Sequence, residues 1–94
     1  MEKGLEIFSK ILDNQMEGTK IIISRICKPK GDTDYALKQR SALYHKMWGV
    51  VMCLYTQNLL TDTEAYECMV LVNEASNTVY MEGMGNEPVK FQNR

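Results

Sequence analysis

The groups in this chain able to do nucleophilic or metal chemistry are few: three cysteines, Cys27, Cys53 and Cys68, and a single histidine, His45. A thiolate nucleophile needs a base within hydrogen-bond reach. His45 and Cys53 are eight positions apart, which on one helix separates them by about 12 Å along the axis. That distance argues against a Cys-His pair. A structural zinc site would require all three cysteines and His45 to converge, with no CxxC or HxxxH spacing to bring them together. Each cysteine instead lies in an apolar run, such as Val51-Met52-Cys53-Leu54 and Cys68-Met69-Val70. The expectation is three buried free thiols in a reducing compartment.

Carboxylates serve as general acids or bases when one is buried beside a substrate pocket. Glu64 is already explained by a helix-capping role, and Gly83-x-Gly85 is too short and too badly placed for a phosphate loop, so it reads as chain flexibility. No catalytic, cofactor-binding or metal-ligating residue is assigned, and the expectation is a protein that is not an enzyme.

The elements that would position any site follow from the spacing of apolar residues. Leu5, Phe8, Leu12 and Met16 recur at three- and four-residue intervals and define the first helix. Continuing the stripe reaches Thr19, Ile23 and Ile26, which predicts one long helix to about Lys28, where Pro29 opposes a regular continuation. Gly18 and the β-branched run Ile21-Ile22-Ile23 leave a second reading, with Lys20 to Cys27 as a strand. Lys28-Pro29-Lys30-Gly31-Asp32-Thr33-Asp34 combines a breaker, a flexible glycine and capping side chains, and predicts a turn.

From Tyr35 to about Leu59, the residues Arg40, Leu43, Met47, Val50 or Val51, Leu54 and Asn58 mark a long central helix, broadened by Tyr44, Trp48 and Tyr55. Gly49 costs about 1 kcal/mol of helix propensity there, and close approach of a neighbouring helix would explain it. Thr61 followed by Glu64 is a capping box, with Leu60 and Ala65 as a hydrophobic staple, and starts a third helix. That helix is expected to carry Tyr66, Met69, Val70 and Asn73 on one side, with Cys68, Leu71 and Val72 making it apolar over much of its circumference and calling for burial on more than one side. Its rival is a hairpin of Cys68 to Val72 with Thr78 to Glu82. Residues 78–94 have no helical period and read as an irregular arm.

The chain is thus expected to form one mainly α, three-helix domain over residues 1–94, with an α+β fold carrying a small sheet and C-terminal hairpin as the alternative. Its 94 residues, 45% hydrophobic and 24% charged, support one small core. No apolar run approaches the roughly 20 residues needed to cross a bilayer. The first residues mix both charge signs, unlike a signal peptide. A cytoplasmic protein without a membrane partner is the expectation.

The net charge of −1 conceals a polarised chain. Between Thr19 and Lys46 seven Lys or Arg face only Asp32 and Asp34, a local balance of +5; from Met47 to Pro88 there are six carboxylates and no Lys or Arg. Lys20, Arg25, Lys28, Lys30, Lys38 and Arg40 are therefore candidate nucleic-acid contacts. The bland account of the same residues is a solvated helical face. The helix after Thr61 carries only acids, which argues against a DNA-reading helix-turn-helix.

The stronger feature is apolar. The stripe on the central helix is broader than one neighbour in a small domain can cover, so its surplus suggests an interface built around Met47, Trp48, Val51 and Tyr55. The occupant would be a protein partner or a second copy.

The run Tyr35-Ala36-Leu37 through Gly49 and Leu54 to Leu59-Leu60-Thr61-Asp62-x-Glu64-x-Tyr66 resembles small helical-hairpin proteins of unknown function encoded by Gram-positive bacteria and their phages or mobile elements. The similarity covers about a third of the chain and implies an accessory protein with no functional residue to transfer.

Overall fold

The computed structural model describes residues 3–85. Helix α1 spans Lys3–Ile22, runs into a π-helical turn at Ile23–Cys27, and continues as the short α2, Lys28–Lys30; α3 spans Thr33–Thr56 and α4 spans Asp62–Met84. Ile22, Cys27 and Lys28 all keep right-handed helical dihedrals, so the first three pieces are one continuous rod. The molecule is a bundle of three helical rods in which every rod touches the other two. Among the described residues there is no strand. The segments proposed as a sheet, Lys20 to Cys27 and Cys68 to Glu82, are helical, because burying Ile23, Cys27, Cys68, Val72 and Val79 outweighs a β-branched propensity penalty of a few tenths of a kcal/mol per residue.

Pro29 does not end the first rod. A proline clashes with the carbonyl four residues earlier and offers no N–H. The wider turn just before it accommodates both defects, with the Lys28 N–H donating to the Ile23 carbonyl, five residues back. The extra residue also shifts the phase of the buried stripe. Cys27 occupies the core with no exposure while Ile26, expected on that face, is 46% exposed.

The rod stops at Gly31, whose φ of 66° is left-handed. Gly31 N–H donates to the Lys28 carbonyl at 3.1 Å and Asp32 N–H to the Cys27 carbonyl at 2.9 Å, satisfying the orphan acceptors of the helix end. Asp32 then caps α3, its Oδ1 accepting from the Tyr35 N–H at 3.0 Å. Asn58, with φ of 63°, ends α3 in the same way, and Leu59 N–H reaches the Leu54 carbonyl at 2.9 Å.

The predicted capping box opens α4: Glu64 N–H donates to Thr61 Oγ1 at 3.1 Å, and Thr61 N–H donates to Glu64 Oε1 at 2.9 Å. This helix runs further than its sequence pattern indicates. Thr78 to Met84 are its last turns, not part of an irregular arm, and Gly85 closes it with a φ of 82°. The rest of the proposed arm, residues 86–94, lies outside the described residues.

The core holds Phe8, Leu12, Ile23 and Cys27 from the first rod, Ala36, Leu43, Met47, Val51 and Leu54 from α3, and Cys68, Val72, Ala75 and Val79 from α4. Of the apolar positions its spacing offers, α4 buries Cys68 and Val72 and leaves Tyr66, Val70 and Leu71 exposed. Its inward residues are the small ones, Cys68, Val72, Ala75, Ser76, Val79 and Gly83, whereas Tyr66 is 71% exposed. Small side chains let α4 approach both neighbours at once. Gly83 is therefore a packing residue and not a hinge: a Cβ there would meet the Ile23 side chain at 2.6 Å. Gly49, where a close approach was expected, is exposed and faces open space.

Candidate interaction surface

The four candidate interface residues divide between two faces of α3. Met47 and Val51 are fully buried, while Trp48 is 46% and Tyr55 36% exposed. Neighbouring positions on a helix point about 100° apart, so Met47 and Trp48 cannot serve one surface. Met47 and Val51 belong to the core; the outer face is carried by others.

The register of the α3–α4 hairpin identifies them. At the loop end, the Tyr55 hydroxyl donates to Asp62 Oδ1 at 2.6 Å. Further along, Tyr44 and Asn73 line one shallow depression, and Arg40 Nη1 donates to Asn77 Oδ1 at 3.1 Å. These three pairings keep one antiparallel register. Carried along it, Trp48 lies level with Met69 and Met52 with Ala65, so Tyr66 and Val70 flank the exposed α3 side chains.

Each helix carries a second seam at alternating four- and three-residue spacing: Ser41, His45, Trp48, Met52 and Tyr55 on α3, and Tyr66, Val70, Asn73 and Asn77 on α4. Every one of these residues is exposed, and none is Lys, Arg, Asp or Glu. Both seams face away from α1. Helix α1 sits on the Lys46 side of α3, where Lys46 Nζ donates to Gln15 Oε1 at 3.0 Å, and on the Glu82 side of α4, where Lys20 and Glu82 pair at 3.1 Å. The end of this face near the loop is apolar, through Trp48, Met52, Tyr55, Tyr66 and Val70. The other end is polar, with its Asn77 bonded to the Arg40 guanidinium. Reading α3 alone missed Tyr66 and Val70; the legible signal was the charge-free seam on each helix.

The titratable groups nearby have structural occupations. The Asp62 carboxylate, which accepts from the Tyr55 hydroxyl and opposes its ionisation, raises the Tyr55 pKa above its ordinary value. An open depression of about 1100 Å³ at the loop end includes Tyr55, Asp62 and Glu64, whose polar groups are committed to that hydrogen bond and to the capping box. His45 Nδ1 lies 2.9 Å from the Ser41 carbonyl. A carbonyl only accepts, so Nδ1 carries the proton. The ring packs edge-on to Tyr44.

The thiols do not behave alike. Cys27 and Cys68 are buried, and desolvation raises both pKa values, with Asp32 adding to the first and Glu64 and Glu67 to the second. Cys53, expected to be buried, is exposed and accepts from Gln57 Nε2 at 3.4 Å. Among the described residues no group of three or more His, Cys, Asp or Glu is placed to hold a metal ion.

The candidate cations have different surroundings. Lys20 pairs with Glu82. Arg40 is held by Asn77 and lies 5.8 Å from the centroid of the Tyr80 ring. Lys28 fills the space beside Gly85 at the end of α4, and with Lys30 stands in the last turn of the first rod, where cations complement the helix dipole. Arg25, Lys30 and Lys38 are exposed, with Asp32 and Asp34 at the same end of the bundle. No described helix is long and apolar enough to cross a membrane.

Comparison of the chain with protein-family models, with curated proteins and with solved structures gives no match.

Proposed function

We propose that this protein is a non-enzymatic binding module that engages a helical protein surface through the outer face of its α3–α4 hairpin. The observation that carries the reading is the pair of exposed, charge-free seams held in one register, with Trp48, Met52, Tyr55, Tyr66 and Val70 at the apolar end. Aromatic side chains and methionine are enriched in interface cores, and charged residues are depleted there. Alternating four- and three-residue spacing is the pattern by which one helix packs its side chains into the grooves of another. The free thiols favour a reducing, cytoplasmic setting. An accessory role without chemistry of its own agrees with the resemblance to small helical-hairpin proteins.

Selection from a displayed library of amphipathic helical peptides tests this reading. Peptides that bind the protein, and that lose binding to Trp48→Glu and Val70→Glu variants of unchanged helicity, are the expected result. Peptides that enrich on another surface, or none at all, would overturn it.

A further inference from the structure

We infer that the occupant of the α3–α4 face is a second copy of this chain, so that two hairpins close into a four-helix layer with each α1 outside. This rests on the reading of that face as a protein-binding surface. Three observations fit a second copy.

The first is area. Trp48, Met52, Tyr55, Tyr66 and Val70 are 46%, 36%, 36%, 71% and 40% exposed. At the ~200 Å² that a large side chain offers, they present roughly 450 Å² of apolar surface. A standard interface takes about 800 Å² from each partner, with about 56–65% of it non-polar. The patch supplies about that non-polar share, and a second copy brings the same amount to meet it.

The second is charge. A two-fold interface sets a surface against itself, so any single-sign cluster would repel its own image. The seam residues themselves carry no charge, and the charged groups bonded to them, Arg40 on Asn77 and Asp62 on Tyr55, are one of each sign at opposite ends of the face.

The third is shape. Both helices of the hairpin carry the seam, and two such hairpins placed face to face give the usual packing of a four-helix bundle. Ser41, Asn73 and Asn77 then supply hydrogen-bonding groups at its polar end, of the kind that fix register between packed helices.

Trp48 is the single tryptophan and reports the face directly. The test is light-scattering mass across a concentration series, with tryptophan emission recorded on the same samples under reducing conditions. Mass should rise from the 10.8 kDa of one chain toward twice that value, and the emission should move to shorter wavelength in parallel. Tyr66→Glu and Val70→Glu, both at exposed positions of α4, should each weaken the dimer at least about 30-fold at unchanged helicity. Leu71→Glu, exposed on the flank of α4 nearer α1, should leave it intact. A mass of one chain up to millimolar concentration overturns the inference, as does a dimer that survives both Tyr66→Glu and Val70→Glu with Trp48 emission unmoved. A monomer that still selects helical peptides on this face removes the second copy but leaves the binding module standing.

Discussion

Gly83 of α4 faces Ile23 of the π-helical turn so closely that a Cβ on the glycine would lie 2.6 Å from Ile23 Cγ2 and 2.8 Å from its Cβ. Ile23 has no exposed surface. The two residues set how near the end of α4 comes to the first rod, at the point where that rod changes phase ahead of Pro29.

Replacing a glycine inside a helix with alanine ordinarily stabilises it by about 0.5–1 kcal/mol. Gly83→Ala should do the reverse and cost about 1–3 kcal/mol, because the added methyl group overpacks a filled site. Gly49→Ala, which meets nothing within 4 Å, should give the ordinary gain. Chemical denaturation of the two variants measures the contrast, and Gly83→Ala should cost less in an Ile23→Ala background, which lacks Cγ2, than in the parent.

The start of α4 depends on two reciprocal hydrogen bonds between Thr61 and Glu64. Thr61→Ala should lower stability by about 0.5–2 kcal/mol, measured from the denaturation midpoint. Thr61→Ser, which keeps the accepting oxygen, should stay close to the parent.

Thiol reactivity distinguishes the three cysteines. Cys53 is exposed, whereas Cys27 and Cys68 are buried with raised pKa values. A thiol reagent at neutral pH should label Cys53 rapidly and leave the other two until the chain unfolds, with mass spectrometry counting the adducts. Both buried groups are neutral thiols when folded. Their contribution is complete below the unfolded thiol pKa and is lost as pH rises through the higher folded values, so the protection of Cys27 and Cys68 should fail first on the alkaline side.

The Tyr55 hydroxyl and Asp62 make a pH-dependent link between α3 and α4. The folded pKa of Tyr55 is raised, so the neutral phenol is the favoured form. The stabilisation is fully present below the unfolded value of about 10 and disappears as pH rises through the folded one. Ring carbon chemical shifts followed by NMR should show Tyr55 ionising above that value, and Asp62→Asn should bring its titration down toward it.

Much of the local structure was legible before any packing. The Thr61–Glu64 box, the glycine stop at Gly31, the Asp32 turn, and the buried stripe of Leu43, Met47 and Leu54 depend on residues within one or two turns of each other, so the chain's own order encodes them. The proposed interface was half legible. Trp48 and Tyr55 could be picked out, but Met47 and Val51 could not be separated from them in a helix apolar over so much of its circumference.

Tertiary structure decided what local spacing leaves degenerate. Helix α4 offers two apolar faces, and which one is buried depends on the volume its neighbours leave. The face with Cys68, Ala75, Ser76 and Gly83 fits between two helices, and the face with Tyr66 and Val70 does not. Pro29 likewise marks a defect in the sequence, while its resolution as a π-helical turn, with Cys27 inward and Ile26 outward, depends on Ile23 packing against Gly83. By itself the sequence determined where α3 and α4 begin and where the chain turns between the first rod and α3, because those signals are short-range hydrogen bonds and backbone preferences. Which faces meet, and which are left for a partner, was decided by close packing among residues far apart in the chain.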